Sequence, residues 1–130
     1  MDLEKTILYS SCLMLEIAKA DNLITKDETT IIEEILIDFF EIDNKKATSI
    51  ITQSYKELDK STDMFQYSNF LNSVMKYQDK LDLIRCIFEV GYADGELHYL
   101  EHHYIKTISN MLNIERKDLI KAKLDIKKYI

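Results

Sequence analysis

Residues 92–101 read YADGELHYLE, and residues 19–28 read KADNLITKDE. Each phrase has Ala-Asp, then a turn residue, an aliphatic two positions further on, and Glu seven after the Asp. With an offset of 73, residues 12–36 align with 85–109, pairing Glu16/Glu89, Ala20/Ala93, Asp21/Asp94, Glu28/Glu101, Ile32/Ile105 and Ile35/Ile108. Asn22 stands opposite Gly95, and these residue types readily adopt positive φ. Both copies are therefore expected to make the same tight turn, with Ile24 and Leu97 pointing inward. Such a phrase joins two helices, which decides the fold class.

Around the phrases, apolar spacing near 3.6 marks helices at about 3–20, 25–41, 44–59, 62–79, 80–93, 98–112 and 115–128. Thr25 with Glu28 fits a capping box, and Asp43 and Ser61 are suited to N-caps. The chain has no proline and two glycines, too few turn signals for a strand-rich fold. No linker rich in Gly or Ser divides it. The expectation is an all-α fold: one domain over 1–130, a single compact bundle of about seven helices built from pseudo-repeated halves at about 3–60 and 80–130.

Charge narrows the function. The net charge is −6, with 3 basic and 11 acidic side chains in residues 1–43 but 6 basic and 3 acidic in 115–130. An acidic body argues against nucleic-acid binding, which rests on neutralising phosphates. The basic tail keeps apolar positions at Leu119, Ile120, Leu124 and Ile126, and reads as a closing helix packed on the domain rather than a membrane-surface helix. No apolar run approaches a membrane span, and the acidic beginning is unlike a signal peptide. Cys12 and Cys86 fall inside helical patterns, as small core side chains in a reduced cytoplasm do.

The acidic residues are oddly placed. Asp21 and Asp94 fall at the C-terminal end of a predicted helix, where the backbone dipole disfavours negative charge by roughly 0.3–1 kcal/mol. Glu28 and Glu101 ride on the edge of an apolar stripe, where an unpaired carboxylate is unfavourable. Something must compensate both placements.

At these residues the chain resembles the TerB-like family, named for a tellurite-resistance protein and also found fused to co-chaperones. The resemblance lies in Tyr92-Ala93-Asp94-Gly95 with Leu97 and Glu101, followed by Ile105, Ile108, Leu112 and Ile114. Ala20-Asp21-Asn22, Ile24 and Glu28 match a second copy, in which Asn22 replaces the glycine. The resemblance implies an all-helical, non-enzymatic accessory protein of the cytoplasm, acting in stress response or metal homeostasis. It also implies a divalent cation held by Asp21, Glu28, Asp94 and Glu101, with Glu16 and Glu89 as outer members. All-carboxylate ligation favours Ca²⁺ or Mg²⁺.

A structural reading competes with it. Asp21 and Asp94 then bond backbone N–H groups of their own turns, and Glu28 is a capping-box residue. In the second copy His98 replaces Thr25, so that box is expected to be lost. On this reading the chain is a helical protein-interaction module, adaptor-like or co-chaperone-like, docking a protein partner. HYLEH at 98–102 matches the H-x-x-E-H pattern of some zinc hydrolases, with His98 and His102 one turn apart. A bundle this small leaves little room for a substrate cleft, and the three histidines are expected to be solvated. Phe39, Phe40, Phe65, Phe70 and Phe88 read as mostly core, whereas Tyr67, Tyr77 and Tyr104 could line a partner groove.

Overall fold

The computed structural model describes residues 2–21, 24–60 and 63–128, with the side chain of Asp21 outside that set. Helices α1 (Leu3–Ala18), α2 (Lys26–Phe40), α3 (Asn44–Leu58), α4 (Met64–Val74), α5 (Tyr77–Gly91), α6 (Tyr99–Met111) and α7 (Arg116–Lys127) follow in order. A short 3₁₀ turn at Lys19–Asp21 extends α1. No strand occurs among the described residues.

Helix α1 organises the rest. Leu13, Met14 and Leu15 are all fully buried, and so are Ser10 and Ser11. A helix apolar on every side must sit at the centre, and α1 packs against α2, α3, α4, α5 and α6. One core cluster results, joining Ile32 and Leu36 of α2, Ile50 of α3, Leu71 of α4, Ile87 of α5 and Ile105 of α6 to α1. Where α1 meets α3, Ser54 Oγ donates to Ser11 Oγ at 2.8 Å, satisfying two hydroxyls inside the core.

The helix starts follow local chemistry. Asp43 accepts from Lys46 N at 2.7 Å. Thr25 and Glu28 form the expected reciprocal box, Glu28 N to Thr25 Oγ1 at 3.1 Å and Thr25 N to Glu28 Oε1 at 2.9 Å. Helix α4 is capped by Asp63, which accepts from Gln66 N at 3.1 Å. The expected cap Ser61 and the expected Asn22 turn lie outside the described residues.

Three expectations need correction. The helix predicted over 62–79 stops at Val74, and α5 begins at Tyr77 rather than at 80. Met75 and Lys76 are extended (ψ 142° and 159°). The break starts a new helix at Tyr77, whose hydroxyl donates to Asp118 Oδ2 at 2.6 Å and accepts from Glu115 N at 3.0 Å. These tertiary bonds override the continuous apolar spacing. Secondly, Tyr67 is fully buried, its ring edge-on to Tyr9 with centroids 4.8 Å apart, and Tyr77 is engaged by the start of α7. Tyr67 is therefore closed to a partner groove, while Tyr77 is 38 % exposed with its hydroxyl held. Thirdly, Phe65 is 51 % exposed, and half of the α7 stripe stays at the surface, since Ile120 and Leu124 face outward while Leu119 and Ile126 pack inward.

Candidate acidic binding site

The second acidic phrase builds a turn from the end of α5. Tyr92 O accepts from Gly95 N at 2.8 Å, and Gly95 takes φ +93°, as expected. Asp94 Oδ1 accepts from Glu96 N at 3.1 Å, while Oδ2 stands 2.8 Å from His98 Nε2. The His98 hydrogen bond, followed by the Glu96 N–H, holds the Asp94 carboxyl below its ordinary value. This is the compensation that its place after α5 requires.

Glu101 is the second point. It is 2 % exposed, and Glu28 is 6 % exposed. His98 N donates to Glu101 Oε1 at 3.0 Å, the counterpart of the Thr25–Glu28 bond. The box expected to be lost thus keeps its glutamate arm, because that arm needs only a backbone N–H at the N-cap, whatever the side chain there.

Sequence reading missed Gly91. It ends α5 in contact with Leu97: a Cβ on it would lie 2.6 Å from Leu97 Cδ1 and 3.4 Å from Ile105 Cδ1. The aligned position in the first copy is Ala18, also fully buried. A small residue 73 positions apart was a legible signal. At Gly91 the small residue lets Leu97 fold back over the end of α5.

Of the predicted ligand set, the Asp21 side chain lies outside the described residues. Among the described residues, no three His, Cys, Asp or Glu side chains form a group able to hold a metal ion. Asp94 is turned to His98, and Glu28 and Glu101 each cap their own helix. Glu16 is pushed up by burial against the pull of Lys19. The two histidines of HYLEH part company, His98 facing Asp94 and His102 Nε2 lying 3.4 Å from Lys123 Nζ, while the adjacent His103 stacks on Tyr99. His98 and His102 are half-buried, and only His103 is exposed. Burial pushes the Cys12 thiol up to about 11 and the Cys86 thiol up to about 12, so both stay protonated near neutral pH.

Carboxylates do gather elsewhere. Glu89, an outer candidate, lines an open furrow of about 670 Å³ between α2 and α5, with Glu34, Asp38, Ile31, Ile35 and Tyr92. The furrow continues along Ile35, Asp38 and Glu89 to Phe39, Asp79 and Asp82. Among the described residues no Lys or Arg lines either part, although Asp82 meets Arg85 at 3.7 Å. Burial, then Asp38 and Glu34, pushes the Glu89 carboxyl above its ordinary value. Carboxylate crowding therefore falls on Glu89 rather than on Asp94. The signal in sequence was Glu34 and Asp38 one turn apart on α2, and Asp82 and Glu89 two turns apart on α5.

A family model described as Tellurite resistance protein TerB matches residues 8–124. The chain belongs to the TerB family. The match takes in all of α2 to α6 and the central helix from Leu8 onward. No curated protein and no solved structure matches the chain. Among the described residues of this TerB-family chain, no helix is long and apolar enough to cross a membrane.

Proposed function

We propose that this TerB-family chain is a non-enzymatic cytoplasmic interaction module whose α2–α5 furrow receives a cationic segment of a partner protein. The observation that carries the reading is the run of carboxylates from Glu34 to Asp79 over an apolar floor, with no cation lining it among the described residues. Spread charge of one sign attracts an extended basic ligand and steers its approach. Ile31, Ile35 and Phe39 supply the apolar contact that gives such a ligand lifetime. The two acidic phrases are then architecture: each builds a turn and caps the helix after it. The role is that of an accessory protein in stress response or metal homeostasis, in keeping with the family.

A lysine-rich amphipathic peptide titrated into the protein tests the reading. Binding should weaken with salt and fall at least tenfold in Asp38→Lys; unchanged binding in that variant would remove the furrow from consideration. The second reading, a divalent cation at the acidic turns, rests on Asp94 being exposed at the end of α5. Melting curves of the parent and of Asp94→Asn, each in chelator and in millimolar Ca²⁺ or Mg²⁺, decide it. A ligand that binds only the folded state raises Tm by mass action. A cation-dependent rise in the parent that Asp94→Asn abolishes would establish the metal reading.

A further inference from the structure

A second groove lies between α6 and α7 and has a volume of about 500 Å³. That is the size of a small-ligand site, about 300–1,000 Å³. Its walls are Phe88, Ile114, Leu119, Ile120 and Leu124. Its charged lining is wholly basic: Lys106, Arg116, Lys123 and Lys127, with His102 beside them. Among the described residues none of the four cations is ion-paired.

Two features mark the groove as a site rather than a gap. Ser109 lines it while only 1 % exposed, and among the described residues its hydroxyl has no hydrogen-bond partner. A buried hydroxyl without a partner is disfavoured, and a small shift of the side chain would let it meet a polar ligand atom in the groove. At the other feature, His102 Nε2 and Lys123 Nζ stand 3.4 Å apart with Lys106 nearby. Burial, then Lys123 and Lys106, pushes the imidazole below its ordinary value. Lys123 Nζ can donate to His102 Nε2 and still has two N–H groups for an anion beside Lys106. Ile120 (49 % exposed) and Leu124 (52 % exposed) meanwhile offer apolar surface to solvent.

We propose that the α6–α7 groove binds a free single-chain amphiphile with an anionic head, such as a fatty acid. The carboxylate lies among Lys106, His102 and Lys123, and the alkyl chain runs between α6 and α7 over Leu124 and Ile120. Neither charge nor apolarity alone accounts for the lining, and an amphiphilic anion matches both. The concave shape suits one chain better than a bilayer surface.

Laurate below its micellar concentration, titrated into ¹⁵N-labelled protein, tests the proposal. Saturable amide shifts are expected within 102–110 and 116–127, with none from acetate and binding at least tenfold weaker for dodecyltrimethylammonium. Lys106→Glu and Leu124→Asp, both at exposed positions, should each weaken laurate at least tenfold while leaving the circular dichroism melt in place. Equal affinity for the cationic amphiphile would overturn the proposal, as would laurate binding indifferent to both variants. Association with anionic phospholipid vesicles but not with laurate would likewise overturn it, in favour of a membrane surface.

Discussion

Leu97 folds back over Gly91 so closely that a Cβ on the glycine would stand 2.6 Å from Leu97 Cδ1. The contact closes the turn between α5 and α6 against the core, with Ile105 and Ile17 as further neighbours. A glycine inside a helix end sacrifices roughly 0.5–1 kcal/mol of helix stability relative to alanine. The packing of Leu97 is what offsets it. Gly91→Val should therefore destabilise the protein by about 1–3 kcal/mol through overpacking. Chemical denaturation of Gly91→Val, Leu97→Ala and the double variant would show a coupling of at least ~0.5 kcal/mol between neighbours. Additive effects would count against the contact.

Gly95 poses the opposite case, conformation without crowding. No atom lies within 4 Å of a Cβ placed there, yet φ is +93°. Gly95→Ala should destabilise by about 1 kcal/mol or more, because alanine resists that backbone region. Urea unfolding of this variant measures the strain alone, and an unchanged midpoint would contradict it.

Glu28 and Glu101 should behave alike despite different N-cap side chains. Each accepts a backbone N–H from its N-cap, at 2.9 and 3.0 Å, from a buried position. Removing the carboxylate leaves that N–H unsatisfied in a partly buried place, at a penalty of about 1–3 kcal/mol. Glu28→Ala and Glu101→Ala are expected to lose that much, and the corresponding Gln variants much less, since an amide oxygen can accept the same bond. Thermal melts of the four proteins, without added cation, provide the comparison.

Acid should relieve Glu89. Its folded pKa lies above the ordinary value through burial and the carboxylates of Asp38 and Glu34. The folded state therefore holds its proton more tightly than the unfolded chain, so the group disfavours folding at neutral pH. That penalty disappears as pH falls through the folded pKa towards the unfolded one. Glu89→Gln should raise Tm at pH 7 and lose the advantage near pH 4. The rise is small, because the residue is partly solvated and screened. Asp94 has the opposite sign. Its depressed pKa contributes stability above the unfolded carboxylate range, which is lost as pH falls through the folded value.

The helices, their capping residues Thr25 and Asp43, and the positive-φ turn at Gly95 are legible in the sequence because they depend on neighbours three or four positions away. The bond from His98 N to Glu101 is of the same local kind, although the side chain at 98 concealed it. The break at Met75 and Lys76 is not legible. Apolar spacing runs through it, and the reach of Tyr77 to Asp118 and Glu115, about 40 residues on, is among the tertiary bonds that hold the new helix there. The burial of Tyr67 and the exposure of Leu124 are likewise decided by which helix packs where. The same holds for the acidic phrases. Their residue types announced chemistry, but local bonds absorb Asp94 and Glu101, and carboxylate crowding arises at Glu89 because α2 lies beside α5. Charge along one helix is written in its sequence; charge across two helices depends on their packing, which the core sets.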